Sequence, residues 1–132
     1  MRNEPGAAAL LGLARQVLLK ELAPLLPAAR RYDLLMVAAA MAIAVRELEG
    51  DGAAPALERE RLLAFFDDAE GPPESEAIGN TLERLNGLLA EQVRRGDHDG
   101  DAGLHRLLTD VIEAYLLESN PKALSKRPDT QA

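Results

Sequence analysis

LLMVAAAMAIAV, from Leu34 to Val45, decides how the chain can fold. All twelve residues are apolar, so no polar stripe marks a solvent side, and a helix built from them calls for neighbours nearly all round. Twelve residues also fall well short of the roughly twenty needed to cross a bilayer. The run therefore reads as a buried helix. Alanines at 38, 39, 40, 42 and 44 add little bulk and let neighbouring backbones approach, while Leu35, Met36, Met41 and Ile43 fill the remaining gaps. Charge returns at Arg46, Glu47 and Glu49, and Gly50-Asp51-Gly52 supplies a turn, which sets a central helix at about 28–48.

Upstream, a first helix is expected at about 7–22, with Leu11, Ala14, Leu18, Leu22 and Leu25 at steps of three and four, until Pro24 and Pro27 break the ladder. Leu10, Leu13 and Val17 form a second apolar line, read here as widening the core face, although with Leu117 it would also suit a partner-facing patch. Downstream, Pro55 suits the first turn of a third helix carrying Leu57, Leu62, Phe65 and Phe66, and GPPES at 71–75 ends it. A fourth helix is predicted to begin near Ser75, with Ile78, Leu82, Leu85, Leu89 and Val93 on one face, an i,i+4 pair of Glu91 and Arg95, and Gly96 as its C-terminal cap. The fifth carries Leu104, Leu107, Leu108, Val111, Ile112 and Tyr115 as one stripe before Asn120-Pro121 stops it. No segment alternates in the manner of a strand. The expectation is an all-α, single-domain bundle of about five helices around the helix at 28–48, with a domain over 1–120 and a flexible tail over 121–132.

Composition narrows function mainly by exclusion. The absence of cysteine rules out disulfides, thiolate nucleophiles and cysteine metal cages, and fits a reducing cytoplasm. A net charge of −7, with 22 acidic against 15 basic residues, offers no basic field for nucleic acid. AAALLGLA at 7–14 is too interrupted by Glu4, Arg15 and Glu21 for a signal core, so neither export nor a membrane is expected. There is no phosphate loop, no dinucleotide fingerprint and no nucleophile elbow, and Ser75 and Ser119 are the only serines before the tail. The chain is expected to be no enzyme on its own and to need no cofactor.

Chemistry-bearing side chains concentrate in RRGDHDGDAGLH, residues 94–105. Asp97, Asp99 and Asp101 match the first three ligands of a calcium loop, but Ala102 stands where the loop needs glycine and Leu108 where it needs the closing carboxylate. His98 and His105 lack the helical spacing of paired transition-metal ligands. The preferred reading is a loop in which Gly96 closes one helix and Asp99 or Asp101 caps the next; a metal held by Asp97, Asp99, Asp101 and His98 is the alternative. No Glu-x-x-His pair for a bundle di-iron site exists. Arg46 and Glu47, at the end of the apolar helix, form a second candidate, since a guanidinium beside carboxylates can bind a phosphate or a partner's acid; Tyr32 and Asp33 lie at the start of the same helix.

YDLLMVAAAMAIAVRELEG at 32–50 resembles a family of small bacterial helical proteins known as a domain of unknown function. LLGLARQVLLKELAPLLP at 10–27, EQVRRGDHD in the fourth helix and SNP at 119–121 agree in order, so the resemblance covers about residues 5–124. Many relatives carry Asn where this chain has Ala39, which puts any binding role of that Asn in doubt here. The resemblance implies genes lying beside a phosphotransferase-like kinase and acyl-CoA dehydrogenase-like enzymes. It further implies a non-catalytic accessory subunit that helps the kinase phosphorylate a hydroxyacyl-CoA in hydroxy or keto acid breakdown. The implied partner is that kinase, with Tyr32, Asp33, Arg46 and Glu47 as interface candidates and homo-oligomers as a further possibility. The competing expectation is a self-associating helical module with a small-ligand or metal site at the 97–105 loop.

Overall fold

The structure, a computed structural model, describes residues 4–67 and 76–125. Within them the chain is all-α: α1 (Ala7–Val17), α2 (Arg31–Gly50), α3 (Ala53–Phe65), α4 (Ile78–Arg95), α5 (Ala102–Ser119) and α6 (Pro121–Ser125), with no strand among the described residues. The chain groups into two units, one of residues 1–51 and 117–132 and the other of residues 52–116. No helix of the described residues is long and apolar enough to cross a membrane.

In the first unit α1 continues as a wide helical turn, Leu18–Leu22, and a tight one, Ala23–Leu25, before the chain reverses into α2. Pro24 in the tight turn and Pro27 just before the next supply the predicted corner. α1 packs on α2, and Arg15 Nε donates to the Ala38 carbonyl at 2.9 Å across that seam. The burial of α2 is one-sided, which corrects the expectation of neighbours all round: Leu34 and Ala38 are buried, whereas Met36 is 52% exposed and Leu35, Val37 and Ile43 are exposed too. Its small seam residue Ala38 lets α1 lie close on one side, and Leu35, Met36 and Val37 remain exposed.

The same holds for α1. Leu10, Leu13 and Val17 do not widen the core face; Leu13 is 55% exposed and the other two are exposed as well. Leu13 follows the half-buried Leu11 by two positions and Met36 follows the buried Leu34 by two, a step of roughly 200° round a helix. The pair therefore carries apolar side chains on both its outer sides.

The second unit holds a conventional core. Leu62 from α3, Leu85 and Leu89 from α4, and Leu104 and Leu107 from α5 are buried together, with Leu63, Phe65, Phe66, Leu82 and Val111 packed against them. Phe65 and Phe66 meet edge to face with ring centroids 5.4 Å apart. The predicted stripes of α4 and α5 are only partly buried, since Ile78, Val93, Leu108, Ile112 and Tyr115 lie exposed at their margins. Thr81 is fully buried and its hydroxyl donates to Glu76 Oε2 at 2.8 Å, which removes the cost of a buried unpaired polar group. The sequence-based start of α4 near Ser75 moves to Ile78, and GPPES lies outside the described residues. Residues 121–125, expected in a tail, form α6, while 126–132 lie outside the described residues.

Leu62→Ala and Leu85→Ala should each cost about 2–5 kcal/mol in urea unfolding, because each leaves a cavity in a closed cluster. Leu13→Ala and Met36→Ala, on the uncovered sides, should cost less than about 1 kcal/mol. Equal losses at all four positions would mean that the outer lines are buried in solution.

Candidate functional site

The acidic loop is built as a helix-to-helix corner. Gly96 takes φ +82°, the left-handed region that a residue with Cβ disfavours, and ends α4 with paired bonds: Gly96 N to the Val93 carbonyl at 3.0 Å and Asp97 N to the Gln92 carbonyl at 3.1 Å. Asp101 then starts α5, its Oδ1 accepting from the amides of Gly103 at 2.7 Å and Leu104 at 3.2 Å. The amides of Leu104 and then Gly103, with help from His98, hold the Asp101 carboxyl below its ordinary value of 3.8 against the opposing pull of desolvation. Of the two predicted caps, Asp101 takes the position.

His98 and Asp97 are engaged as well. His98 presents Nδ1 to Asp101 Oδ2 at 3.2 Å and Nε2 to Gln92 Oε1 at 2.7 Å, and its ring tilts against Phe65 at 5.1 Å. Neither ring nitrogen is open to a metal in this arrangement. Asp97 pairs with Arg95 at 3.0 Å, so the predicted Glu91–Arg95 pair gives way to a contact two residues on. Among the described residues no three His, Cys, Asp or Glu side chains come together to hold an ion. His98, Asp101 and His105 do line a cavity of about 510 Å³ with Leu104 and Leu108.

The α2 candidates separate. Tyr32 is 71% exposed and Asp33 pairs with Arg30 at 3.1 Å, near the start of the helix. Arg46 and Glu47 lie 14 residues or more beyond Tyr32, roughly 21 Å along the axis, so the four form no single site. Arg46 is committed to structure: its Nε donates to the Glu118 carbonyl at 2.6 Å and its Nη2 to the Ser119 carbonyl at 3.3 Å. A guanidinium on the last carbonyls of α5 satisfies acceptors that the helix leaves open and suits the negative end of its dipole. Glu47 is exposed.

Beside Arg46 lies a cavity of about 340 Å³ in the first unit, lined by Arg15, Ala39, Ala42, Arg46, Asn120 and Lys122 among others. Sequence reasoning singled out Arg46 but missed Arg15 and Lys122, which converge only because the α2 register and the α5–α6 corner bring them there. Ala39, from the apolar run of α2, lines this cavity.

Residues 24–123 match the model of a family described as a domain of unknown function (DUF6285). No curated protein and no solved structure matches the chain.

Two variants test the geometry. Arg46→Ala should destabilise the fold by about 1–3 kcal/mol in urea unfolding through loss of two charge-assisted bonds, with Arg46→Lys intermediate. For Asp101 the lowered carboxyl value sets the sign: its charge contributes stability in full above the unfolded value of 3.8, and this is lost as pH falls through the lower folded value. Asp101→Asn should therefore melt below the wild type near neutral pH, and the two should converge in acid; a gap constant down to about pH 2 would assign the loss to geometry instead of charge.

Proposed function

We propose, for a chain that belongs to the DUF6285 family, the role of a non-catalytic accessory subunit that docks on a larger enzyme. The observation that carries the reading is the pair of outer apolar lines on α1 and α2: Leu10, Leu13 and Val17 on one helix, and Leu35, Met36 and Ile43 on the other, are all exposed in the chain. Isolated exposed leucines are ordinary, but ordered lines on both outer sides of one helix pair are what a subunit interface requires. Among the described residues of the unit Leu34 and Ala38 are the buried side chains, a small core for its length. Burying further apolar surface against a partner would supply what the unit lacks.

The resemblance supplies the occupant: a phosphotransferase-like kinase, encoded beside bacterial members of the family, that phosphorylates a hydroxyacyl-CoA in hydroxy or keto acid breakdown in the cytoplasm. In this reading Tyr32, Asp33 and Glu47 form a polar rim to the apolar lines, and Arg46 acts indirectly by fixing the end of α2. Pairing of the same lines with a second copy is the competing reading, and it rests on the same exposure. The acidic loop does not favour a metal reading, because Asp97, His98 and Asp101 already have partners within the chain.

Titrating the protein into that kinase with ATP and a hydroxyacyl-CoA should stimulate ATP consumption to a plateau at a fixed subunit ratio, and the two should co-elute. Leu13→Glu, at an exposed position, should keep full helicity yet weaken stimulation by about tenfold or more, as expected of a central apolar contact. Neither stimulation nor co-elution, with a homo-oligomer on light scattering that Leu13→Glu dissociates, would replace the accessory reading with self-association.

A further inference from the structure

We propose that the cavity at Arg15, Arg46 and Lys122 binds a small oxyanion, a phosphate or carboxylate head group, with a short apolar body lying on Ala39 and Ala42. The inference does not depend on the accessory-subunit reading. It begins with charge: the chain carries 22 acidic and 15 basic residues, yet this cavity gathers three cations and no carboxylate among its lining side chains. Like charges brought together repel, so such a grouping in an otherwise acidic protein is a local attractor for anions.

The second element is preorganisation. Arg15 is anchored through Nε to the Ala38 carbonyl at 2.9 Å, and Arg46 through Nε and Nη2 to the Glu118 and Ser119 carbonyls at 2.6 and 3.3 Å. Backbone acceptors thus fix one edge of each guanidinium. Both Nη groups of Arg15 and Nη1 of Arg46 are left without a hydrogen bond among the described residues, and Lys122 Nζ has no ion pair there. Capping of α5 explains Arg46 alone. Arg15 sits on a mid-helix carbonyl and Lys122 on none, so helix capping does not account for the cluster.

Size and lining set the ligand class. About 340 Å³ admits a head group of a few atoms and a short chain, within the range of small-molecule sites. Rigid guanidinium groups match the planar carboxylate and the phosphate oxygens, Lys122 adds a point charge, and the Asn120 side chain can donate from its amide. The alanines provide a smooth apolar floor.

The test uses the full chain, titrated calorimetrically with inorganic phosphate and, separately, with butyrate, each against sodium chloride at equal ionic strength. Saturable binding of either probe above the chloride control is expected. Tighter phosphate assigns the site to a phosphoryl ligand, and tighter butyrate to an acyl carboxylate; both outcomes support an oxyanion site. Arg15→Gln and Lys122→Gln should each weaken binding by about threefold or more, whereas Arg106→Gln, which removes the same charge from the exposed side of α5, should not. Lys122 is exposed and its side chain has no hydrogen bond or ion pair among the described residues, so its variant keeps the test valid if Arg15→Gln unfolds. No binding above chloride with either probe, or equal weakening by Arg106→Gln, would overturn the site.

Discussion

One guanidinium closes the first unit. Arg46 reaches the carbonyls of Glu118 and Ser119, 72 and 73 residues on, and so joins α2 to the end of a helix that the chain arrives at only after the whole of residues 52–116. The contact satisfies the open carbonyls at a helix end with a charged donor, one of the stronger hydrogen bonds available at a partly exposed site. Its position has further consequences. It adjoins the corner at Asn120-Pro121, and Lys122 lines one cavity with the small side chains of Ala39 and Ala42.

The two units illustrate different uses of apolar sequence. Residues 52–116 spend their leucines inward, with five of them buried in one cluster drawn from three helices. The α1–α2 pair instead turns a large share of its leucines and methionines outward, burying only Leu34 and Ala38. Alanine is the reason this is sterically possible: a seam built on Ala38 draws two helices together without needing large side chains, so the large ones are free to face elsewhere. One part thus holds a closed leucine cluster, and the other a helix pair whose large apolar side chains stay exposed.

Much of the local structure was legible in the sequence because it rests on short-range chemistry. The end of α4 followed from Gly96, since only a residue without Cβ accepts its φ easily, and the start of α5 followed from an aspartate placed before Gly103 and Leu104. The proline corner at Pro24 and Pro27 was legible for the same reason. Burial was less so. Periodicity identified the apolar lines of α1, but nothing in Leu10, Leu13 or Val17 distinguishes a core stripe from an interface stripe, because both need the same side chains at the same spacing. The all-apolar run at 34–45 reads as surrounded for that reason, yet only Leu34 and Ala38 of it are buried.

The candidate sites divide along the same line. RRGDHDGDAGLH holds ionisable groups close in sequence, but closeness in sequence is also what a helix corner needs, and there three of them are consumed locally: Asp97 by Arg95, His98 by Gln92, Asp101 by two amides. A group whose bonding capacity is spent on its own backbone has little left for a ligand. Arg15, Arg46 and Lys122 present the opposite case. They are scattered over more than a hundred residues, so no motif unites them, yet the fold gathers them on one cavity with N–H donors remaining after their structural bonds are made. Residual bonding capacity after folding, and not density of charge along the chain, is the physical criterion that separates the two.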